Sequence, residues 1–201
     1  MATEKEIKFS IDNFHHIRDR LKELGFNFVD RYFEENVVFD FQDKRLKTQK
    51  KLLRLRSIRD RHILCFKQPT DASDSDLKSM EEIETEIKNR DNLIVILKNL
   101  GLAVSFKYEK IREKWEKEDV VVCLDILPFG DYLEVETKGD MDIIEVAREI
   151  GLDLQKKDIR NYHEINREKR KELGLAPDDN FTFEEWKKIR QDLNGVLEHG
   201  Y

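Results

Sequence analysis

The sequence predicts an α+β fold in which eight strands form an antiparallel sheet or a closed barrel. Three observations lead to this prediction. Apolar and polar residues alternate in eight segments, few helical patterns separate these segments, and the chain turns helical from about residue 140 to its end. Many strands with few intervening helices favour an antiparallel arrangement over a parallel α/β sheet.

The strand candidates share a period of two, which places successive side chains on opposite faces of a sheet. They span residues 3–11, 27–41, 51–59, 61–68, 80–88, 103–116, 119–127 and 131–138. The stretch 68–76 between two of these strands is polar and contains a proline. We therefore predict a flexible loop there.

Three helical patterns end at a glycine that is followed by an apolar strand. The glycines are Gly25, Gly101 and Gly151. Glycine ends helices in this way because it adopts the left-handed conformation without steric cost. Asp12 and Asp91 are predicted to be the N-caps of the first two helices, since a short acceptor side chain there bonds free backbone N–H groups.

A shift of 76 residues aligns the first strand and helix with a later strand and helix. It pairs Ile7 with Ile83 and Gly25 with Gly101, among other apolar positions. A strand–helix–strand unit used twice would explain this alignment. Chance similarity between two amphipathic helices followed by strands would also explain it, and the sequence leaves both explanations open.

The end of the chain carries a helix start signal. Thr182 and Glu185 have the spacing of a capping box, and Phe181 is placed to pack against Trp186 across it. We expect this last helix to be a packing element or an oligomer contact.

Composition excludes several classes of protein. Among 201 residues, lysine and arginine number 37 and aspartate and glutamate 43, so the net charge is −6. A general nucleic-acid binder normally has a basic excess. No run approaches the ~18 apolar residues of a membrane helix, and the N-terminus lacks an apolar signal core. Cys65 and Cys123 are predicted to be reduced and buried. We therefore expect a soluble cytoplasmic protein.

The charged residues are sorted by sign along the predicted strands. Acidic rows lie on the first, fifth and last strands, and basic rows lie on the third and sixth. These rows contain Glu4, Glu6, Glu82, Glu84, Glu86, Glu134 and Glu136, and Arg54, Arg56, Lys110, Arg112 and Lys114. Contact with water would explain the charged face of any single strand. A merely solvated face, however, would more often mix the signs and avoid rows of like charge.

A second explanation is that the charged faces line the interior of a barrel while helices cover the apolar faces. Guanidinium groups match phosphate oxygens in a bidentate manner. Carboxylates hold Mg²⁺ or Mn²⁺, which in turn bridge phosphate oxygens. The ligand suited to such an interior is a polyanion with a divalent metal, such as a triphosphate.

The pattern Glu4-x-Glu6-x-Lys8 resembles the signature of the CYTH superfamily, the triphosphate tunnel metalloenzymes. The remaining family blocks follow in order along residues 1–175. They are Arg54-Leu55-Arg56, Lys67, Glu82 to Ile87, Lys110-Ile111-Arg112, Leu124-Asp125, Gly130-Asp131-Tyr132, Leu133 to Glu136, and Arg160-Asn161-Tyr162. The last block is similar to an element of the class IV adenylyl cyclase-like branch.

This resemblance implies an eight-stranded antiparallel closed β-barrel, the triphosphate tunnel, in residues 1–175. Residues 176–201 would form a helical extension packed on that domain. The resemblance implies that Glu4, Glu6 and Lys8 are catalytic. The implied metal ligands, for Mg²⁺ or Mn²⁺, are Glu4, Glu6, Glu134 and Glu136, with help from Asp125 or Glu84. The implied phosphate-binding residues are Lys8, Arg54, Arg56, Lys67, Lys110 and Arg112.

Two positions depart from the family pattern. Cys65 stands where many members have threonine, two places before the strand lysine. Asn161 replaces the usual serine before Tyr162. The first departure affects the phosphate contact of Lys67, and the second affects the role of the C-terminal element.

The function implied is metal-dependent hydrolysis of an inorganic or organic triphosphate. The alternatives are a class IV adenylyl cyclase, which forms cyclic AMP and diphosphate from ATP, and a non-catalytic polyphosphate-binding module. The expected partner is a small triphosphate-containing molecule, with no nucleic acid and no membrane, and a homodimer is left open.

Overall fold

The structure is a computed structural model that describes residues 4–69, 78–138 and 142–198. Its eight strands are β1 Glu4–Ser10, β2 Asn27–Phe41, β3 Leu52–Ile58, β4 Arg61–Pro69, β5 Lys78–Ile87, β6 Leu102–Lys117, β7 Val120–Leu127 and β8 Gly130–Lys138. Each predicted strand is therefore confirmed to within about two residues. Most of the predicted loop 68–76 lies outside the described residues.

All strand pairs are antiparallel, and they follow the order β1-β5-β4-β3-β2-β6-β7-β8. Strand β8 pairs with β1 over the full length of β1, so the sheet curls around an interior. The junction between β1 and β5 consists of three residue pairs, from Glu4 opposite Met80 to Glu6 opposite Lys78. The α+β class and the eight antiparallel strands are confirmed, whereas a fully closed barrel remains a prediction.

In the described part of the chain, six α-helices accompany the sheet. They are α1 His15–Glu23, α2 Arg45–Thr48, α3 Arg90–Asn99, α4 Ile143–Ile150, α5 Tyr162–Glu172 and α6 Phe183–Glu198. The predicted glycine stops are confirmed, because Gly25, Gly101 and Gly151 follow helices with φ of +80°, +89° and +92°. Within the described ranges, no helix is both long and apolar enough to cross a bilayer.

Both predicted N-caps are wrong. Helix α1 starts at His15 with Phe14 in the N-cap position, too far along the chain for Asp12 to cap it. The N-cap of α3 is Asn89, whose side chain accepts a hydrogen bond from the backbone of Asn92. Asp91 lies inside the first turn of that helix, where its negative charge interacts favourably with the helix dipole.

The largest hydrophobic core lies between the sheet and two helices that cover its outer face. Ile7 of β1 and Leu133 of β8 pack there with Leu21 of α1 and with Ile143 and Ala147 of α4. All five side chains are buried. Since the other face of these strands points into the interior, the apolar core is on the outside of the curled sheet.

A smaller core lies on the opposite side, where α3 packs against β2 and β3. It contains Val37, Phe39, Leu55 and Leu97. Ile83 of β5 is 49% exposed, whereas Ile7 of β1 is 0% exposed.

The strand order supports the duplication that the 76-residue shift suggested. The exchange of β1 with β5, β2 with β6, β3 with β7 and β4 with β8 leaves every pair of neighbouring strands a pair of neighbours. The register agrees as well. Glu6 faces Glu136, and Lys8 faces Glu134. The residues that the 76-residue shift relates to Glu6 and Lys8 are Glu82 and Glu84, which face Lys67 and Cys65.

A cluster of mainly aromatic side chains, the aromatic end cluster, adjoins one end of the interior, where Tyr108 and Tyr162 hydrogen-bond Arg54 and Asp125. It comprises Val38, Phe106, Tyr108, Leu127, Phe129, Tyr132, Tyr162, Ile165, Phe181 and Trp186. Phe181 and Trp186 both belong to this cluster, and the ring of each lies near that of Phe129. Direct packing of Phe181 against Trp186 stays a prediction. Thr182 accepts a hydrogen bond from the backbone of Glu185, as the capping-box spacing predicted. Helices α5 and α6 are anchored to the sheet through this cluster.

The two isoleucines that the 76-residue shift relates provide a test of where the core lies. Ile7→Ala is expected to lower the free energy of unfolding by about 2–5 kcal/mol, because it empties a fully packed position. Ile83→Ala is the matched control and should cost less than about 1 kcal/mol, since that side chain is half exposed. Urea unfolding measures both values, and equal losses would contradict the assignment of the core.

Candidate active site

The interior of the curled sheet is lined by charged side chains. Alternation along each strand directs them inward, since cross-strand partners share a face. Lys8 faces Glu134, Lys110 faces Glu34, and Arg112 faces Asp125. Each of these acids is less than 5% exposed, and Lys8 is 2% exposed. Charges buried this deeply require opposite charges beside them.

All six predicted phosphate-binding residues point into this interior. They are Lys8 on β1, Arg54 and Arg56 on β3, Lys67 on β4, and Lys110 and Arg112 on β6. Their side chains are buried or mostly buried. The basic rows of β3 and β6, which are far apart along the chain but both neighbours of β2, therefore converge, as the sorting of charges predicted.

Three of the predicted metal ligands form a cluster. Carboxylate oxygens of Glu6, Glu134 and Glu136 lie within 4.8 Å of one another. Lys8 Nζ lies 2.7 Å from Glu6 and 2.9 Å from Glu134, so a cation borders the cluster on one side. For Glu4 the structure describes the backbone, and the side chain lies outside the described part. Its predicted role stays a prediction.

Burial and the closeness of the three carboxylates shift the pKa values in this cluster. Burial, together with the charge of Glu134, raises the pKa of Glu136 to about 7. Burial also opposes ionisation of Glu134, but the charges of Lys8 and Arg112 outweigh it and hold the pKa of Glu134 well below its ordinary value. The cluster thus carries more acid than its neighbouring cations neutralise.

The structure does not bring Asp125 into the carboxylate cluster. Its carboxylate accepts hydrogen bonds from Arg112 at 2.6 and 2.7 Å, from Lys110 at 3.2 Å and from the hydroxyl of Tyr162 at 3.0 Å. These donors occupy both oxygens. Asp125 therefore orients Lys110 and Arg112, two of the predicted phosphate-binding residues, and its role as a metal ligand stays a prediction.

Glu84 lies in a second group, with Cys65 and Glu82. Cations surround this group: Lys67 lies 2.7 Å from Glu82, and Arg56 lies 3.3 Å from Glu84. The Cys65 thiol donates to Glu82 at 2.6 Å, and burial raises the pKa of that thiol to about 11. Cys65 and Cys123 are both free and buried, as predicted.

A comparison with known protein families agrees with this arrangement. The model of the CYTH domain family matches residues 2–170. The chain belongs to the CYTH domain family.

Individual CYTH relatives cover most of the chain. A Methanocaldococcus jannaschii protein named "Putative adenylate cyclase MJ0240" is 34% identical over 143 residues, 71% of this chain and 80% of its own. The structure of the PH1012 protein of Pyrococcus horikoshii is 26% identical and superposes with a TM-score of 0.66, over 79% of this chain and 96% of its own.

A plant structure shares the fold at lower identity. HpAC1 of Hippeastrum, described as having a dominant triphosphatase activity, is 15% identical, with a TM-score of 0.60 over 90% of this chain and 100% of its own. At this identity the likeness concerns the fold alone.

Several residues of this CYTH site were not among the predicted ones. Glu34 is 1% exposed, and its carboxylate lies 3.9 Å from both Arg56 and Lys110. Burial opposes its ionisation, but Lys110 and Arg56 outweigh burial and lower its pKa strongly. Tyr108 contacts Arg54. Alternation within β2 places Glu34 and Asn36 on the same face of the strand. From this pattern the sequence could have predicted that Glu34 points into the interior.

Two arginine N–H groups in the interior lack a hydrogen-bond partner among the described residues and are suited to bind an anion. Arg54 Nε and Arg56 Nε are buried without a hydrogen-bond partner in the described structure. A buried N–H group without a partner costs free energy that a phosphate oxygen would recover. These two donors belong to the block that resembles the family's L-R-x-R element.

Glu136→Gln is expected to stabilise the metal-free protein at alkaline pH. Between about 4.5 and about 7 the folded protein holds a proton on Glu136 that the unfolded chain has lost. The free energy of unfolding therefore falls as pH rises through this window. At pH 8 the variant should exceed the wild type by roughly 1–3 kcal/mol, and at pH 4.5 by nothing. Denaturant unfolding in a chelator measures both values.

The control for this experiment is Glu149→Gln, at an exposed position on α4. It should follow the wild type at both pH values. A Glu136→Gln variant that is less stable than the wild type at pH 8 would contradict the assignment of excess negative charge to the cluster.

Proposed function

We propose that this protein is a divalent-metal-dependent enzyme that hydrolyses an inorganic or organic triphosphate within a closed tunnel formed by the curled sheet. The observation that carries the proposal is the convergence of six inward basic side chains beside the cluster of Glu6, Glu134 and Glu136. A triphosphate carries about four negative charges, and it needs both cations and metal to enter a buried site.

The basic side chains are suited to hold the phosphate chain and to stabilise the charge that develops on the leaving group. Arg54 and Arg112 offer planar guanidinium groups, which bind phosphate oxygens in pairs. Lys8 and Lys110 are compact charges at the most buried part of the interior. Preorganised cations in a water-poor site stabilise a developing diphosphate more strongly than they would in water.

The carboxylate cluster supports a proposed Mg²⁺ or Mn²⁺ site. Hard oxygen ligands suit these ions. Burial and the charge of Glu134 raise the pKa of Glu136, and a divalent cation beside it would favour the ionised form. Glu6, Glu134 and Glu136 would hold the metal, and the prediction for Glu4 is retained beside them. When bound, the metal would neutralise phosphate oxygens and lower the pKa of a bound water.

The charged side chains are buried at one end of the site and partly exposed at the other. Lys8 and Lys110 have side chains 2% and 6% exposed, whereas those of Lys114 and Glu84 are 33% and 38% exposed. The buried end adjoins the aromatic end cluster. A phosphate chain would therefore enter from the exposed end and place its terminal phosphate near Lys8 and Lys110.

This direction favours hydrolysis over cyclisation. An adenosine group would remain toward the exposed end, because the aromatic end cluster fills the other end. The name of the archaeal relative keeps class IV adenylyl cyclase activity as the second candidate. A non-catalytic module is disfavoured, since anion binding alone gives no reason to bury a surplus of carboxylates.

The remaining expectations accompany this proposal. The partner would be a small triphosphate, with no nucleic acid and no membrane, in the cytoplasm. A homodimer stays open as a prediction.

Glu6→Gln is expected to reduce metal-dependent release of phosphate from tripolyphosphate by about a hundredfold or more, because it removes one of three clustered carboxylates. The melting temperature of the metal-free variant should not fall by more than a few degrees. Glu35→Gln is the matched control, since Glu35 lies on a strand but pairs with Arg90 outside the interior. Full activity of Glu6→Gln would refute the assignment.

Incubation with ATP and Mn²⁺ separates hydrolysis from cyclisation. We expect inorganic phosphate and ADP, because the terminal phosphate would lie at the buried end. Chromatography identifies the nucleotide products, and tripolyphosphate run in parallel measures phosphate release. Cyclic AMP and diphosphate as main products would replace the hydrolase by the cyclase. Binding of tripolyphosphate without any product would establish the non-catalytic module.

A further inference from the structure

Two tyrosine hydroxyls connect the aromatic end cluster to the charged interior. Tyr108 accepts a hydrogen bond from Arg54 Nη1 at 2.7 Å, and Tyr162 donates one to Asp125 Oδ2 at 3.0 Å. Both rings are buried among apolar side chains of the cluster. The closed end of the interior is therefore hydrogen-bonded to the residues that are proposed to hold phosphate.

Tyr108 is held in place by the segment that leads into α6. Phe181 bridges to β6 through two backbone hydrogen bonds, from its own N–H to Lys107 at 3.1 Å and from Glu109 to its carbonyl at 3.0 Å. Its fully buried ring lies 5.0 Å from the ring of Tyr108. Since the family match ends at residue 170, this support comes from a part of the chain beyond it.

The hydrogen bond that Arg54 donates to Tyr108 holds one end of its guanidinium group. Arg54 Nη2 lies 3.5 Å from Glu82, so a carboxylate competes for the same cation. With Nη1 fixed by Tyr108, Arg54 cannot turn fully toward Glu82, and its Nε remains buried and unpaired. Loss of the hydroxyl would allow a closer ion pair with Glu82, and Arg54 would then be less available to a phosphate.

Tyr162 acts in the same way on the other wall. Its hydroxyl bonds Asp125, which in turn accepts from Lys110 and Arg112. The ammonium groups of Lys8 and Lys110 lie 5.3 and 5.6 Å from the centre of the Tyr162 ring, within range of a cation–π interaction. One side chain from α5 thus contacts or orients three basic residues.

We propose that Tyr108 and Tyr162 are positioning residues, through which the C-terminal helices set the affinity of the site for the buried end of a phosphate chain. This inference rests on the proposed function. Neither hydroxyl takes part in bond cleavage, so the effect falls on phosphate binding before it falls on turnover.

The test measures binding of inorganic tripolyphosphate to the full-length protein in a chelator, by calorimetry. Tyr108→Phe and Tyr162→Phe should each raise the dissociation constant about tenfold, the usual weight of a hydrogen bond to a charged group. With Mn²⁺ present, KM should rise by more than kcat falls. The control is Tyr132→Phe, in the same cluster, whose hydroxyl bonds no charged side chain among the described residues.

A double-mutant cycle tests whether Phe181 acts through Tyr108. Phe181→Leu keeps an apolar side chain but loses the ring that packs on Tyr108. It should weaken tripolyphosphate binding about threefold in the wild-type background and not at all in the Tyr108→Phe background. Thermal unfolding of every variant separates this effect from a general loss of stability.

The outcomes are distinct. Absence of tripolyphosphate binding by the wild type would overturn the proposed function, and this inference with it. Binding by the wild type with unchanged affinity in both tyrosine variants would overturn the inference alone. Variants that lose melting temperature but keep both the dissociation constant and KM would show that the two hydroxyls serve stability only.

Discussion

The arrangement of this protein depends on burying charges of both signs inside a curled sheet. A buried charge without a partner costs several kcal/mol, so each cation of the interior must lie beside an acid or await an anionic ligand. Cross-strand register meets this requirement by setting Lys8 opposite Glu134 and Arg112 opposite Asp125. The apolar face of the same strands must then pack elsewhere, and α1, α3 and α4 supply that packing from outside.

Much of the fold could be predicted because a period of two is a local signal. All eight strands follow from alternation, and the three glycines mark helix ends through their positive φ. The caps failed for a different reason. Asp12 and Asp91 have the right chemistry, but the N-caps are Phe14, two residues after Asp12, and Asn89, two residues before Asp91. Side-chain chemistry alone does not determine at which residue a helix starts.

The site was predicted unevenly. Rows of like charge and the family blocks identified the residues that converge, since alternation determines which way each side chain points. They could not determine which acids pair with which cations. Asp125 and Glu34 differ in this respect, because the first is held by Arg112 and the second lies between Lys110 and Arg56. Such pairing depends on the order of the strands in the sheet, for which the sequence contains no local signal.

The two halves of the sheet place different residues at equivalent positions, and this has a consequence for how a ligand would lie. An interior with true twofold symmetry would accept a phosphate chain in either of two opposite senses with equal affinity. Here Lys67 occupies in one half the place that Glu136 has in the other, and Cys65 occupies that of Glu134. The first pair exchanges an acid for a base and the second an acid for a neutral thiol, so the interior lacks twofold symmetry. A phosphate chain bound there as we propose would therefore lie in one sense only.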